Sequence, residues 1–157
     1  MPRPSTAHDA IDAIEAIRQS ITVLCVPDHQ NDKATLDRWL ANKKPEFFEA
    51  WIANPDNFCA VEEVDGKVHG VGLLHSSGEV RLFYVSPGHL RKGLGRNIHA
   101  LLLSRAREWG LTKVHLDSTS VARPFYESLG YRSTGPSKHM FGVLNAFPYE
   151  KVVAKAI

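Results

Sequence analysis

The stretch VSPGHLRKGLGRNIHALLL, residues 85–103, places glycine and positive charge at the start of a helix that directly follows a strand-forming run. The first amides of a helix have no partners within it, and the helix dipole adds about half a positive charge there, so an anion is a natural ligand. Gly93 and Gly95 would let the backbone approach that anion closely. The cations at this end of the helix are Arg91, Lys92 and Arg96. The pattern predicts a diphosphate-sized anion site after a strand.

A plain glycine turn flanked by solvated basic residues is the alternative interpretation of this stretch. Two better-known phosphate motifs do not fit it. The dinucleotide fingerprint G-x-G-x-x-G would need glycine at position 98, which is Ile98, and the phosphate loop G-x-x-x-x-G-K-[ST] is absent from the sequence. The surrounding elements must therefore decide what the turn holds.

The chain before this stretch predicts helices first and strands afterwards. Asp9 is expected to cap the first helix, and Asp65-Gly66 is typical of a two-residue hairpin turn that needs positive φ. Apolar residues recur at helical spacing in AIDAIEAIRQSI (10–21), ATLDRWLAN (34–42) and PEFFEAWIAN (45–54). The strand patterns are FCAVEEV (58–64), KVHGVGLLH (67–75) and EVRLFYV (79–85).

After the turn, the pattern alternates between helix and strand. The helix is expected to run to Trp109 and to stop at Gly110. Its predicted buried stripe is Leu94, Ile98, Leu101, Leu102 and Trp109. The later segments are a strand VHLDST (114–119), a helix ARPFYESL (122–129), a strand YRSTG (131–135) and a strand FPYEKVV (147–153). Meander strands followed by strand–helix–strand units predict a mixed α/β sheet with helices on its faces.

Composition limits the class of protein. A chain of 157 residues with 43% hydrophobic and 23% charged residues is typical of one soluble globular domain. A net charge of +2 is too small for a dedicated nucleic-acid binder. No targeting segment is apparent and no apolar run approaches the ~20 residues of a membrane span, so a cytoplasmic location is expected. Cys25 and Cys59 lack C-x-x-C spacing and no zinc motif occurs, so no metal is expected.

Two motifs in the right order resemble the GCN5-related N-acetyltransferases (GNAT). The first is a strand ending in V-x-P followed by a turn [Q/R]-x-x-G-x-[G/A], here VSP (85–87) and LRKGLG (90–95). The second is A-x-x-[FL]-Y-x-x-x-G-[FY], here ARPFYESLGY (122–131). The resemblance covers residues 58–131 and is weak over the N-terminal helices. Leu90 departs from the Gln or Arg of the turn, and Thr119 replaces a frequent Asn.

The resemblance implies a mostly antiparallel mixed α/β sheet with a splayed central strand pair and helices on both faces. It divides a single domain, 1–157, into a helical acceptor-side region (1–57), an acetyl-CoA-binding core (58–131) and a terminal loop and strand (132–157). It also implies acetyl-CoA as donor, with its pyrophosphate on the amides of residues 91–96 and its pantetheine arm paired like an added strand with β-backbone. The implied coenzyme-binding residues are Phe83, Tyr84, Val85, Leu90, Arg91, Lys92, Gly93, Leu94, Gly95, Arg96, Ser118 and Thr119.

The implied chemistry is attack of an amine on a thioester. An amine with a pKa of ~10.4 is deprotonated about once in 2500 molecules at pH 7, which withholds ~4.6 kcal/mol from the nucleophile, whereas a thiolate of pKa ~8.5 needs only about 2 kcal/mol of help. By similarity, Glu79 is a candidate base, with an exposed, ion-paired carboxylate as the alternative. The match places Tyr126 at the acid. Strand alternation puts Glu79, Arg81, Phe83 and Val85 on one face unless a bulge intervenes.

Other polar side chains offer weaker candidates. His69 and His75 lie on one face of a predicted strand and are expected close to Glu79, where either could assist the base, although each is typical of a structural histidine. Asp117 is expected to cap the helix that follows it. The acceptor is expected to lie among the N-terminal helices and the loop before the last strand, which contribute Trp39, Phe47, Phe48, Trp51, His139, Met140 and Phe141.

The resemblance therefore implies an acyltransferase of class EC 2.3.1, an N-acetyltransferase acting on a small-molecule amine or on a protein amino-terminal or lysyl group, by direct attack in a ternary complex. Its expected partners are acetyl-CoA and the amine, with no nucleic acid and no membrane, and it leaves a homodimer open. The departures at Leu90 and Thr119 motivate an alternative, a non-catalytic acyl-CoA-binding module of the same fold.

Overall fold

A computed structural model describes residues 1–153 of the chain. Residues 154–157, which end the predicted domain and its predicted terminal loop and strand, lie outside the described residues. The helices are α1 Ala10–Gln19, α2 Val26–His29, α3 Lys33–Leu40, α4 Pro45–Ala53, α5 Leu94–Glu108 and α6 Arg123–Ser128. The strands are β1 Arg3–Pro4, β2 Asn57–Val64, β3 Lys67–His75, β4 Val80–Val85, β5 Lys113–Ser118, β6 Arg132–Ser133, β7 Lys138–Met140 and β8 Leu144–Val152.

The strands form two antiparallel groups that separate in the middle of the molecule. The first has the order β1-β2-β3-β4, and the second has the order β5-β8-β6, with β7 also paired to β8. An isolated parallel bridge between Glu79 and His115 joins the groups at the start of β4. Beyond that bridge, no ladder links β4 to β5 within residues 1–153. The predicted mixed α/β fold with a splayed central strand pair and helices on both faces is confirmed.

Helix α5 lies close to β3 because two positions in that strand are glycine. A Cβ atom at Gly70 or Gly72 would lie 2.6 Å from a side-chain carbon of Ile98. Larger residues would push the helix away from the sheet. The opposite face of the sheet packs on α1, α3 and α4, so each face has its own core. The stripe of α5 also buries His99, which apolar spacing did not predict.

One residue of β4 is left out of its pairing with β3. The register passes from the Leu73–Leu82 pair directly to the Leu74–Val80 pair, so Arg81 forms a β-bulge. As a result Val80 joins the core under α5, whereas Leu82 joins the core under α1. The bulge therefore reverses the side-chain alternation at the start of the strand.

Most predicted elements lie where the sequence placed them, and the differences are local. Asp65 and Gly66 have φ of +53° and +79°, as the hairpin turn requires. Asp9 does not cap α1 directly, because its carboxylate accepts the backbone N–H of Thr6, which begins a short 3-10 turn before the helix. The hairpin strand β7 was not predicted. No helix among the described residues is long and apolar enough to cross a membrane.

Candidate active site

A cleft of about 880 Å³ opens where β4 and β5 separate, on the side of the sheet that carries α5. We call it the α5 cleft. Its walls come from β4, the turn before α5, the end of β5 and the start of α6, and the segment 20–25 after α1 also contributes. All predicted coenzyme-binding residues line it except Lys92, which points to solvent, and Ser118. Ser118 is buried, and its hydroxyl donates to the carbonyl oxygen of Thr119 at 2.7 Å.

The turn before α5 uses its two glycines for different reasons. Gly93 has φ of +85°, a left-handed conformation that favours glycine, and a Cβ atom there would meet no neighbour. Gly95 is part of the helix, and its Cβ atom would lie 3.0 Å from Cζ of Phe125. Gly95 is therefore also needed for packing against α6, a role that the sequence did not indicate, while it still lines the cleft.

The charge at this turn is suited to an anion. The first turn of α5, all of it described, contains no acidic residue, and Arg91, Arg96 and the free helix amides face the same region. The Arg96 guanidinium also donates to Ser128 Oγ at 3.2 Å, which ties the helix start to α6. Leu90 lies at the rim of the cleft with 45% of its surface exposed.

Tyr126 lies in the wall of the α5 cleft and is almost fully buried, with 6% of its surface exposed. Its ring packs edge-on against Phe83 and Tyr131, with centroids 6.1 and 5.5 Å away. Burial raises the pKa of its hydroxyl above the usual tyrosine value, and the nearby Tyr131, Tyr84 and Cys25 raise that pKa further. The hydroxyl therefore stays protonated and can donate a hydrogen bond into the cleft.

A second cavity, of about 530 Å³, lies on the other side of the gap between β4 and β5. We call it the α3 cavity, because α3 and the segment after it form one wall, facing β7 and β8. Of the aromatic and acceptor-side residues predicted from the sequence, Trp39, Met140 and Phe141 line it. Phe48 and Trp51 belong to the core instead, and Phe47 is exposed. His139 does not line the cavity.

The α5 cleft and the α3 cavity meet at the gap in the sheet. The residues that line both are Val80, Arg81, Tyr84, Asp117 and Thr119. Groups that reach the gap from the two cavities therefore lie against these shared residues. This arrangement allows two molecules to be held with their ends against each other.

Glu79 lines the α3 cavity and does not line the α5 cleft. Because Arg81 forms the bulge, the exception to strand alternation applies, and Glu79 lies on the opposite face from Phe83 and Val85. The Glu79 carboxylate accepts from Nε of Arg81 at 2.7 Å, and 41% of its side chain is exposed. The structure thus shows Glu79 as an exposed, ion-paired carboxylate, which was the alternative to a role as base, and places it in the wall of the α3 cavity.

The two candidate histidines lie at opposite ends of β3. His75 is adjacent to Glu79, because its backbone N–H donates to the Glu79 carbonyl at 2.8 Å. His69 is six residues away, about 20 Å along an extended strand. It bonds to Ser86 at 2.8 Å and stacks on His89 with ring centroids 3.6 Å apart, and burial lowers its pKa. The expectation that His69 lies close to Glu79 is wrong.

Several features of the site were missed by sequence reasoning. Tyr84 was assigned a backbone role, yet its hydroxyl accepts from Nε1 of Trp39 at 3.3 Å at the junction of the two cavities. Asp117 does not cap α6. The Thr119 hydroxyl accepts the backbone N–H of Ala122, and the Asp28 carboxylate accepts the backbone N–H groups of Ser120 and Val121. Within residues 1–153, no group of three or more His, Cys, Asp and Glu side chains could hold a metal ion.

Comparisons with known proteins agree with this architecture. The family described as acetyltransferase (GNAT) domain matches residues 25–153. A GCN5-related N-acetyltransferase from Rhodopseudomonas palustris has a TM-score of 0.85 at 19% identity, covering 97% of this chain and 94% of that one. The PaiA N-acetyltransferase from Thermoplasma acidophilum, in complex with coenzyme A, has a TM-score of 0.81 at 18% identity, covering 97% and 98%.

A third similar structure is the ribosomal-protein-S18-alanine N-acetyltransferase from Escherichia coli, with a TM-score of 0.67 at 16% identity over 99% of this chain and 95% of that one. At these identities the likeness concerns the fold. No curated protein matches the sequence.

Proposed function

This chain belongs to the acetyltransferase (GNAT) domain family, and we propose that it transfers an acetyl group from acetyl-CoA to a primary amine by direct attack in a ternary complex. Enzymes of the family use acetyl-CoA. The observation that carries the proposal is the meeting of the α5 cleft and the α3 cavity at the gap between β4 and β5. Donor and acceptor can then occupy opposite sides of the sheet with their reacting ends in contact.

The α5 cleft has the features that coenzyme A requires. The amides and cations of residues 91–96 would hold the pyrophosphate, since a helix start without acidic residues favours an anion. The edge of β4 that faces β5 is unpaired over Leu82–Val85 among the described residues, so its N–H and C=O groups can pair with the amides of the pantetheine arm. A volume of about 880 Å³ suits a ligand of this size.

Glu79 is proposed to accept the amine proton through a water molecule. The acceptor ammonium must lose one proton, to Glu79, before nitrogen can attack the thioester. The new N–C bond then forms as the C–S bond breaks, and nitrogen releases a second proton to solvent. Glu79 lies on the acceptor side, and its partner Arg81 lies at the junction of the two cavities. With 41% of its side chain exposed, Glu79 can pass that proton to solvent.

Tyr126 is proposed to donate a hydrogen bond to the leaving sulfur. Its raised pKa opposes complete proton transfer to a thiolate, whose pKa is about 8.5. A preorganised donor on a buried side chain still stabilises the negative charge that develops on sulfur. We therefore assign Tyr126 to stabilisation of the thiolate, which takes its final proton from solvent.

A thiol-release assay over a panel of primary amines tests the proposal, with acetyl-CoA binding measured in parallel. We expect CoA release that depends on the amine, and slower release in Tyr126→Phe and Glu79→Gln proteins that still bind acetyl-CoA. The alternative module predicts tight binding of acetyl-CoA and no CoA release with any amine. Absence of both binding and release would contradict the coenzyme assignment itself.

A further inference from the structure

Lys43 is a buried cation that has no carboxylate partner among the residues that the structure describes. It follows α3, lines the α3 cavity, and has only 7% of its surface exposed. Its ammonium donates to the Asn42 side-chain oxygen at 2.6 Å, and within residues 1–153 it forms no ion pair with a carboxylate. Burial lowers its pKa to about 8. Lysine is almost never fully buried unless it is paired, so this position calls for an explanation.

The groups packed around Lys43 add positive charge. Arg18 of α1 donates to the Leu40 and Lys43 carbonyl oxygens at 3.1 and 3.0 Å, which brings its guanidinium under this segment. Arg38 of α3 also lines the cavity and forms no ion pair in the described chain. Its electrostatic attraction to the Asp32 carboxylate acts over a longer distance than an ion pair. The wall formed by α3 therefore holds cations and lacks an anion.

The carboxylates of the same cavity already have cationic partners other than Lys43. Glu79 is bonded to Arg81, and Asp117 lies 3.9 Å from the Lys138 ammonium. Both lie toward the gap in the sheet, because Asp117 and Arg81 also line the α5 cleft. The cavity thus has an acidic end beside the gap and a cationic end at Lys43, with one positive charge in excess among its lining residues.

We infer that the α3 cavity binds a small amino carboxylic acid, with Lys43 and Arg38 holding the carboxylate and with the amine at the gap beside Glu79 and Asp117. The inference rests on the proposed acetyl transfer and names the acceptor class for it. The carboxylate would meet the cations at the Lys43 end and the amine would meet the carboxylates beside the gap, whereas a phosphate offers no cation for that acidic end. A volume of about 530 Å³ is in the range of small-molecule sites.

The test compares matched acceptors. Each amino acid of a panel is paired with the amine that has hydrogen in place of the carboxylate, and kcat/KM is measured for both with saturating acetyl-CoA. For at least one pair, we expect the carboxylate-bearing member to be preferred by about 10- to 100-fold, the value of a charged hydrogen bond. The preference should lie mainly in KM.

Two variants locate the preference. In Lys43→Met, the ratio of kcat/KM between the two members of the pair should fall about tenfold or more. The matched control is Lys44→Met, which removes the adjacent, exposed lysine and should leave the ratio unchanged. Arg38→Gln, at an exposed position that does not affect the core, should also reduce the ratio and guards against misfolding of the first variant.

A second readout does not require turnover. The N-acetylated form of each amino acid in the panel is tested, and at least one should raise the melting temperature of the wild-type protein and have a smaller effect on Lys43→Met. The inference would be overturned if the amines without a carboxylate were acetylated as well as the matching amino acids, and if Lys43→Met left the ratio of kcat/KM unchanged. The proposed acetyl transfer would still stand in that case. Absence of CoA release with every amine, despite stabilisation by the acetylated acid, would instead contradict the transfer and support the anion site.

Discussion

The α5 cleft and the α3 cavity are built in opposite ways. The α5 cleft comes largely from one continuous stretch, β4 with the turn and the start of α5, and offers mainly backbone groups and solvated cations. The α3 cavity is assembled from α3, β4, β5, β7 and β8, and offers charged side chains, one of which is buried. A site made of backbone leaves a local motif in the sequence, whereas a site made of distant side chains leaves none.

The two regions also differ in electrostatic strain. In the α5 cleft, Arg91 and Arg96 are exposed, so water solvates them when no ligand is bound. In the α3 cavity, Lys43 is removed from water and has only a neutral amide oxygen as partner. The buried charge of Lys43 in the α3 cavity should therefore lower the free energy of unfolding of the ligand-free protein, and the exposed cations of the α5 cleft should not.

The largest expected effect is a gain of stability in Lys43→Met. The pKa of Lys43 is lowered from 10.5 to about 8, so at pH 7 the charged form destabilises the fold by about 3 kcal/mol. Methionine has a similar length and no charge, so we expect Lys43→Met to raise the free energy of unfolding at pH 7 by up to that amount. Urea denaturation at pH 7 measures it.

The pH dependence of this gain has a definite sign. Between about pH 8 and 10.5 the unfolded chain binds more protons at Lys43 than the folded chain does, so this residue's penalty shrinks as pH rises. The difference in unfolding free energy between Lys43→Met and wild type should therefore decrease above pH 8. A difference that stays constant from pH 7 to 9.5, or that also occurs in Lys44→Met, would show that charge burial is not its cause.

The next effect concerns the donor side. Replacing Tyr126 by Phe removes one hydrogen bond to a developing thiolate, so kcat should fall by about 10- to 100-fold. The Kd for acetyl-CoA should change little, because the ring packing against Phe83 and Tyr131 is retained. Stopped-flow thiol release and calorimetric titration separate the two quantities. Loss of acetyl-CoA affinity equal to the loss of rate would mean that Tyr126 binds the coenzyme without acting on sulfur.

The sequence predicted the donor region well, and the reason is physical. Alternation, turn residues and helical spacing are local properties, so β3, β4, α5 and the turn at Gly93 could be located before the structure was known. The bulge at Arg81 could not, because it arises from pairing with β3 and has no marker in β4 itself. It reversed the face of Glu79, which is why strand alternation misplaced that side chain.

The acceptor region was predictable only in part. Trp39, Met140 and Phe141 were expected near the acceptor and line the cavity, but the pairing of their elements depends on contacts far apart in sequence. Thr35 Oγ1, for example, donates to the Phe141 carbonyl at 2.6 Å across 106 residues. The burial of Lys43 follows from such contacts, and the surrounding sequence, ANKKPE, is typical of an exposed loop.

A smaller effect distinguishes the two glycines of the turn. Gly95→Ala should destabilise the protein by about 1 kcal/mol, because its methyl group would press on the Phe125 ring. Gly93→Ala should cost a similar amount through its left-handed backbone, with no contact involved. The discriminating measurement is rescue by Phe125→Leu in thermal unfolding. This second change should offset part of the Gly95→Ala loss and none of the Gly93→Ala loss; equal rescue of both would refute the packing explanation.

The smallest expected effect is at Leu90, where the turn departs from the family pattern. The side chain is 45% exposed at the rim of the α5 cleft, whereas the amides that would hold the pyrophosphate belong to the residues after it. A surface change of this kind is worth about 0.5 kcal/mol, so Leu90→Gln should alter the Kd for acetyl-CoA by only about twofold. Calorimetric titration decides. A tightening of tenfold or more would mean that side chains, and not backbone amides, set the affinity of the donor site, and the contrast drawn between the two cavities would not hold.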